Sequence, residues 1–294
     1  MRIFPLLLAL LVCTSCGIFR FRSSERYLPG PAIRDYTPEG IVEEVLYPSC
    51  VPGPVQRRMI VYLPADYHQS RQRYPVMYLL HGARGYETAW IRFGEVYEST
   101  DSLCRSGKAV PCIVVMPNVN QYDNDADFEG GRFKDAWESI WEVDGVVESA
   151  FAHDVVRLVD SLYRTIPDKA HRAIAGLSVG GYQSIWISAN HPDMFGYVGA
   201  FSPYMWCLGK NNPYKRTFYS DLYGKMAVQF ADPPLGYYLY AGERDIMLPA
   251  TEDFHNKLNI NGFRHNFFLF PGGHDWVNGW IEEYKDLLQR VFKN

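Results

Sequence analysis

Gly176-Leu177-Ser178-Val179-Gly180-Gly181 is the stretch whose reading decides the fold. It follows Arg172-Ala173-Ile174-Ala175, an apolar run that reads as a buried strand, and precedes Tyr182-Gln183-Ser184-Ile185-Trp186-Ile187, which reads as a helix. A G-x-S-x-G turn between a strand and a helix is a nucleophile elbow: the sharp reversal strains the serine backbone and lifts its hydroxyl clear of the sheet. Gly176 and Gly180 leave room on either side, because a Cβ there would collide across the turn. Gly181 lets the helix pack close to the strand. The competing reading is a glycine-rich βα turn with an incidental serine. The strand-turn-helix context favours the elbow.

An elbow of this kind is followed along the chain by an acid and then a histidine. Of eight histidines, His274 stands out. It comes after the strand-like run 265–270 and the turn Pro271-Gly272-Gly273, and before a helical tail from Asp275 to Phe292. That places it at the carboxyl edge of the sheet, where open α/β sheets bind ligands. The preceding strand is Gly236 to Gly242, and Glu243-Arg244-Asp245 follows it. Asp245 is preferred to Glu243 as the acid. Asp275, adjacent to His274, cannot easily reach back to its Nδ1. A histidine with an ordinary pKa of about 6.5 can take the serine proton and return it to a leaving group, while the aspartate fixes the tautomer. The oxyanion of a tetrahedral intermediate needs two donors. One is the N–H of Val179, directly after the serine. The other belongs to the loop after an early strand. Tyr74 to Leu80 is such a strand, His81-Gly82-Ala83-Arg84-Gly85 follows, and Ala83 offers its N–H.

These motifs, together with Phe201-Ser202-Pro203 and Gly272-Gly273-His274-Asp275-Trp276, resemble the esterase D family of α/β-hydrolases. That group includes feruloyl and acetyl xylan esterases, S-formylglutathione hydrolases, enterochelin esterases and mycolyltransferases. The resemblance covers roughly residues 40 to 292. It implies Ser178 as nucleophile, Asp245 as acid, His274 as base, and Ala83 and Val179 as oxyanion donors. These are the residues already selected from their local context.

The 294 residues are 47% hydrophobic, which suits one large α/β domain. The net charge is -4, with no long basic run, so nucleic acid is not an expected partner. Strands and helices alternate from about residue 40, the pattern of a mostly parallel central sheet with helices on both faces, the α/β-hydrolase fold. Strands near 41–48 and 57–64 precede any helix and are expected as an antiparallel edge. A helix from Val147 to Thr165 has Phe151, Val155, Val156, Val159 and Leu162 on one face.

Residues 1–16 read as a signal peptide. Arg2 precedes an apolar run too short to span a bilayer, and Cys13-Thr14-Ser15-Cys16-Gly17 follows. Small residues before Cys16 resemble a bacterial lipoprotein signal in which that cysteine is acylated. Cys13 stands where leucine is usual, and a plain secretory signal is the alternative. The expectation is export to a bacterial cell envelope with a lipid anchor as the sole membrane contact, the alternative being a soluble periplasmic or secreted protein. Residues 17–38 are expected as a tether and residues 39–294 as the esterase domain. Cys50, Cys104, Cys112 and Cys207 remain. Cys104 and Cys112 bracket a short loop and form the preferred disulfide, with four reduced thiols as the alternative. Asp123-Asn124-Asp125 begins like a calcium loop, but Phe128 and Lys134 stand where that loop needs glycine and glutamate, so no metal or cofactor is expected. Trp90, Tyr204, Trp206 and Trp276 fall near the motifs, where their rings could stack on a sugar or an aromatic acyl group; core packing is the plainer reading for each.

The reading is a serine carboxylic-ester hydrolase that releases feruloyl or acetyl groups from carbohydrate. Alternatives are a siderophore-ester or general short-acyl esterase, an acyltransferase, and a catalytically silent carbohydrate-binding lipoprotein.

Overall fold

Val76-Met77-Tyr78-Leu79-Leu80, Ile113-Val114-Val115-Met116-Pro117 and Arg172-Ala173-Ile174-Ala175-Gly176-Leu177 are apolar at nearly every position. Such runs need cover on both faces, which a parallel sheet between two helical layers supplies. Every residue in all three is buried. The computed structural model describes residues 19–22, 36–50, 56–83, 85–120, 145–205 and 221–293. Its strands are β1 (Phe19–Arg22), β2 (Ile41–Pro48), β3 (Gln56–Leu63), β4 (Val76–Leu80), β5 (Ile113–Pro117), β6 (Arg172–Leu177), β7 (Tyr197–Phe201), β8 (Gly236–Gly242) and β9 (Asn266–Phe270). They form one sheet in the order β1-β2-β3-β5-β4-β6-β7-β8-β9. The pairs from β1 through β3 to β5 are antiparallel and all later pairs are parallel. The leading strands thus form the antiparallel end that the sequence suggested.

The helices are α1 (Ala89–Arg92), α2 (Val96–Arg105), α3 (residues 146–162), α4 (Val179–Asn190), α5 (Leu222–Ala231), α6 (Leu248–Ile260) and α7 (Ile281–Leu288). The period-two alternation of the strands divides the core. Val76, Tyr78 and Leu80 join one cluster with Ile113, Val115, Ile174 and the residues of α3, α4 and α6. Met77 and Leu79 join the other, with Val114, Met116, Trp90 and the residues of α7. Helices therefore cover both faces. Helix α4 is buried along almost its whole length, from Val179 to Ala189. Its serines fit there because Ser184 and Ser188 donate back to the carbonyls of Gly180 and Ile185.

Four expectations need correcting. The helix foreseen from Val147 to Thr165 ends at Leu162, where Tyr163 turns extended, and contains a π turn over Ala152–Val156. The helical tail likewise opens with a π turn over Trp276–Trp280 before α7. Residues 19–22, placed in the tether, pair with β2 in the register Phe19↔Leu46 to Arg22↔Glu43. Nor are Cys104 and Cys112 bridged; both are free. Cys112 is fully buried in the core, where a thiol packs as a small apolar group. Burial pushes the Cys104 thiol up to about 11. Cys16 and Cys207 lie outside the described residues, as does the acidic loop from Asp123.

Candidate active site

The loops after β4, β6, β7, β8 and β9 all leave the carboxyl edge of the parallel sheet, so five short segments converge there. Ser178, between β6 and α4, has φ 52° and ψ −115°. That left-handed backbone costs a non-glycine residue of order 1–3 kcal/mol and persists only where its neighbours over-determine it. They do so here. The Ser178 N–H donates to the Phe201 carbonyl at 2.8 Å, and its own carbonyl accepts from Tyr182 at 3.1 Å and Tyr204 at 2.9 Å. Space is as tight as the turn requires. A Cβ on Gly180 would stand 2.3 Å from the His81 carbonyl oxygen, and one on Gly176 would stand 2.5 Å from that of Gly180.

His274, after β9, places Nε2 3.1 Å from Ser178 Oγ. Its Nδ1 lies 2.9 Å from Asp245 Oδ1 and 3.1 Å from Oδ2. Asp245 is buried in the turn after β8, and its Oδ1 also accepts from the Met247 N–H at 2.6 Å. Burial opposes its charge, yet the hydrogen bonds from His274, Ser202 and Met247 outweigh it and hold the carboxyl below the usual aspartate range. The sequence choice between acids has a geometric counterpart. Glu243 is exposed, and Asp275 is occupied locally, accepting from Gly273 N–H at 3.0 Å and from Asn278 N–H at 3.1 Å.

Ser202 is the residue that sequence reasoning missed. It ends β7 as Ser178 ends β6, with φ 46° and its N–H donated to the Tyr240 carbonyl at 2.8 Å. Its hydroxyl donates to Asp245 Oδ2 at 2.5 Å and accepts from Trp280 Nε1 at 3.3 Å. The Trp280 ring stands edge-on to the His274 imidazole at 4.8 Å between centroids. The signal was Phe201-Ser202-Pro203, noted as a motif without a role.

Val179 opens α4, so its N–H lies in the first turn, where donors lack intrahelical partners. The Gly82 backbone lies against the elbow: a Cβ there would stand 3.3 Å from Ser178 Cβ, which brings the Ala83 segment beside Ser178. His81 anchors that loop. Its Nδ1 donates to the Gly82 carbonyl at 2.9 Å, and its Nε2 accepts from the Val119 N–H at 3.0 Å. Burial pushes it down to about 4, so it stays neutral.

The aromatic candidates separate. Trp90 is fully buried, donates Nε1 to the Leu80 carbonyl at 3.0 Å and packs on Phe201 and Tyr284. It is core, not a stacking surface. Tyr204 is also buried and meets the elbow through its backbone. Trp276 is half-buried, its ring 5.1 Å from Trp90, 5.1 Å from Trp280 and 5.9 Å from the exposed Phe93. Trp206 lies outside the described residues.

The family model described as "Putative esterase" matches residues 54–290. The chain belongs to that esterase family, and its fold is the α/β-hydrolase fold. It is 34% identical over 168 residues to an endo-1,4-beta-xylanase/feruloyl esterase of Xylanibacter ruminicola, covering 55% of this chain and 22% of that protein. It is 23% identical over 213 residues to an iron(III) salmochelin esterase of Escherichia coli, covering 68% and 48%. The chain thus spans less than half the length of either relative. Among solved structures, a ferulic acid esterase superposes with a TM-score of 0.71 at 26% identity, over 87% of this chain and 98% of that one. The CE1 ferulic acid esterase of Anaeromyces mucronatus superposes with a TM-score of 0.70 at 20% identity, over 92% and 96%.

Proposed function

We propose that this chain is a serine carboxylic-ester hydrolase that works through an acyl-enzyme on Ser178, and that its substrates are acylated carbohydrates, feruloyl esters first. The observation that carries the reading is the unbroken chain of hydrogen bonds from Ser178 Oγ through His274 to Asp245 at a strained elbow. Ser178 Oγ attacks the ester carbonyl carbon while His274 Nε2 takes its proton. The N–H groups of Val179 and Ala83 receive the oxyanion, and loss of one such donor costs on the order of a hundredfold in rate. Collapse expels the alcohol, which leaves with the proton from His274. Water then attacks the acyl group, giving its proton to the same nitrogen, and the carboxylic acid departs as Ser178 recovers its proton. Asp245 stabilises the imidazolium in both halves and keeps Nδ1 as the protonated nitrogen. The names of the xylanase/feruloyl esterase relative and the ferulic acid esterase structures support the feruloyl group. The salmochelin esterase relative supports a siderophore ester as the second reading.

Purified protein should label stoichiometrically with a fluorophosphonate and hydrolyse methyl ferulate. Ser178→Ala should stay folded, refuse the label and lose more than about a thousandfold in kcat. Activity in that variant within about tenfold of wild type, free of contaminating esterase, would remove the nucleophile assignment. Turnover of a nitrophenyl ester with no turnover of methyl ferulate or acetylated xylan would keep the chemistry and discard the carbohydrate substrate.

A further inference from the structure

Cys50 follows β2, while His153 and Asp154 lie in the π turn of α3. Among the described residues they are the one group of three metal-ligating side chains whose donor atoms all lie within 4.8 Å of one another. Asp154 organises the group. It is buried, whereas Cys50 and His153 are exposed. Its Oδ2 accepts from Ser49 Oγ at 2.7 Å and from the Cys50 N–H at 2.9 Å, and its Oδ1 accepts from His153 Nδ1 at 3.0 Å. One fixed carboxylate thus has a thiol and an imidazole held against it by two different elements. The π turn gives this stretch of α3 its wider coil, a local irregularity that is frequent at functional sites.

We propose that Cys50, His153 and Asp154 bind a divalent transition metal of the zinc class, with water in the fourth position. The donor set selects this class. A thiolate with an imidazole and a carboxylate suits zinc, whereas calcium and magnesium take oxygen alone. Zinc bonds of about 2.0–2.3 Å in a tetrahedron put donor atoms roughly 3.3–3.8 Å apart. The group needs to contract by about an ångström, which the two exposed side chains supply by small rotations while Asp154 stays in place. On binding, the Cys50 thiol releases its proton to solvent as the sulfur–metal bond forms. His153 turns a lone-pair nitrogen to the metal in place of its bond to Asp154.

The site is separate from the proposed triad. β2 runs parallel to the inner strands, so Cys50 lies at the same sheet edge as Ser178. It stands four strand positions away, roughly 19 Å at the usual spacing. Its effect is to staple the end of β2 to α3, two segments 100 residues apart in sequence.

The full chain, stripped with a chelator, should bind one Zn2+ in a calorimetric titration. Cys50→Ser and His153→Ala should each weaken binding by at least about tenfold, since even outer-shell changes cost that much. Both positions are exposed, so both variants should fold and keep the wild-type level of fluorophosphonate labelling at Ser178. Co2+ should give a thiolate charge-transfer band that Cys50→Ser abolishes. Absence of saturable Zn2+ binding, or binding that both substitutions leave unchanged, would overturn the site. Neither result bears on the esterase reading, which the labelling measures independently.

Discussion

Asp245 is held by three donors at once, and the three are unequal in what their loss should do. In the proposed mechanism the bond from His274 Nδ1 sets the tautomer that lets Nε2 accept a proton. The bonds from Ser202 Oγ and the Met247 N–H hold the carboxylate in its plane and keep it ionised. Asp245→Asn is therefore expected to lower kcat by about 10⁴, because an amide nitrogen facing Nδ1 forces the wrong tautomer. Ser202→Ala leaves the tautomer intact and removes one supporting bond, so a loss of about tenfold in kcat with unchanged KM is expected. Steady-state kinetics of both variants on one ester checks the ranking, and an inactive Ser202→Ala beside an active Asp245→Asn would reverse it. At this scale the sequence was legible wherever a residue's placement depends on position after a strand. Ser178, Asp245 and His274 each follow a readable apolar run. The role of Ser202 arises across three neighbouring strands, which no local pattern encodes. Trp90 took the plainer of its two readings, core packing, because nearness to a motif along the chain says nothing about which way a ring points.

At the scale of elements, α7 carries a group that works against the fold. Glu283 is fully buried, and neither of its carboxylate oxygens has a hydrogen-bond partner among the described residues. Burial, and then the negative charges of Asp245 and Asp275, hold its carboxyl well above the usual range. In the unfolded chain it ionises near its ordinary value of about 4.3. Above that pH the folded protein keeps a proton that the unfolded chain has lost, so stability falls as pH rises toward the folded value. Glu283→Gln keeps the shape and removes this linkage. The variant should gain on wild type by at most about 1.4 kcal/mol per pH unit as the pH rises above about 5, roughly 3 °C in Tm per unit for a chain of this size. The gap should close toward pH 4. Thermal melts across that range decide it, and a gap that does not vary with pH would mean that Glu283 is ionised when folded. The burial of a glutamate in α7 was not legible, because the sequence marked a helical tail from Asp275 to Phe292 without setting which of its charged residues face the core. The π turns at 152–156 and 276–280 were hidden likewise. An added residue per turn leaves the apolar spacing nearly unchanged, so Phe151, Val155, Val156 and Val159 still fall on the core side.

For the whole molecule, the mostly parallel sheet was readable because buried parallel strands are continuous apolar runs, and the antiparallel end showed itself as two strands with no helix between them, while the order of the strands was not. The pairing of residues 19–22 was not readable, since Phe19-Arg20-Phe21-Arg22 alternates over too few residues to set a register. That pairing changes what an N-terminal anchor would do. Only Gly17 and Ile18 lie between Cys16 and Phe19, a Cα-to-Cα reach of at most about 10 Å. A lipid on Cys16 would therefore hold the β1 edge of the sheet near the bilayer surface rather than on a long leash. No helix among the described residues is long and apolar enough to cross a membrane. Each buried CH₂ contributes about 0.8 kcal/mol, and several chains on one cysteine suffice where a single chain is marginal. The expected mature protein begins at acylated Cys16 and sediments with membranes. Cys16→Ala should release it to the soluble fraction or stall its processing, and Cys13→Ala should do neither. Mass spectrometry of the mature N-terminus is decisive: an unmodified terminus beyond residue 16 would make this a freely soluble exported protein, with its sheet edge unconstrained and its proposed triad untouched.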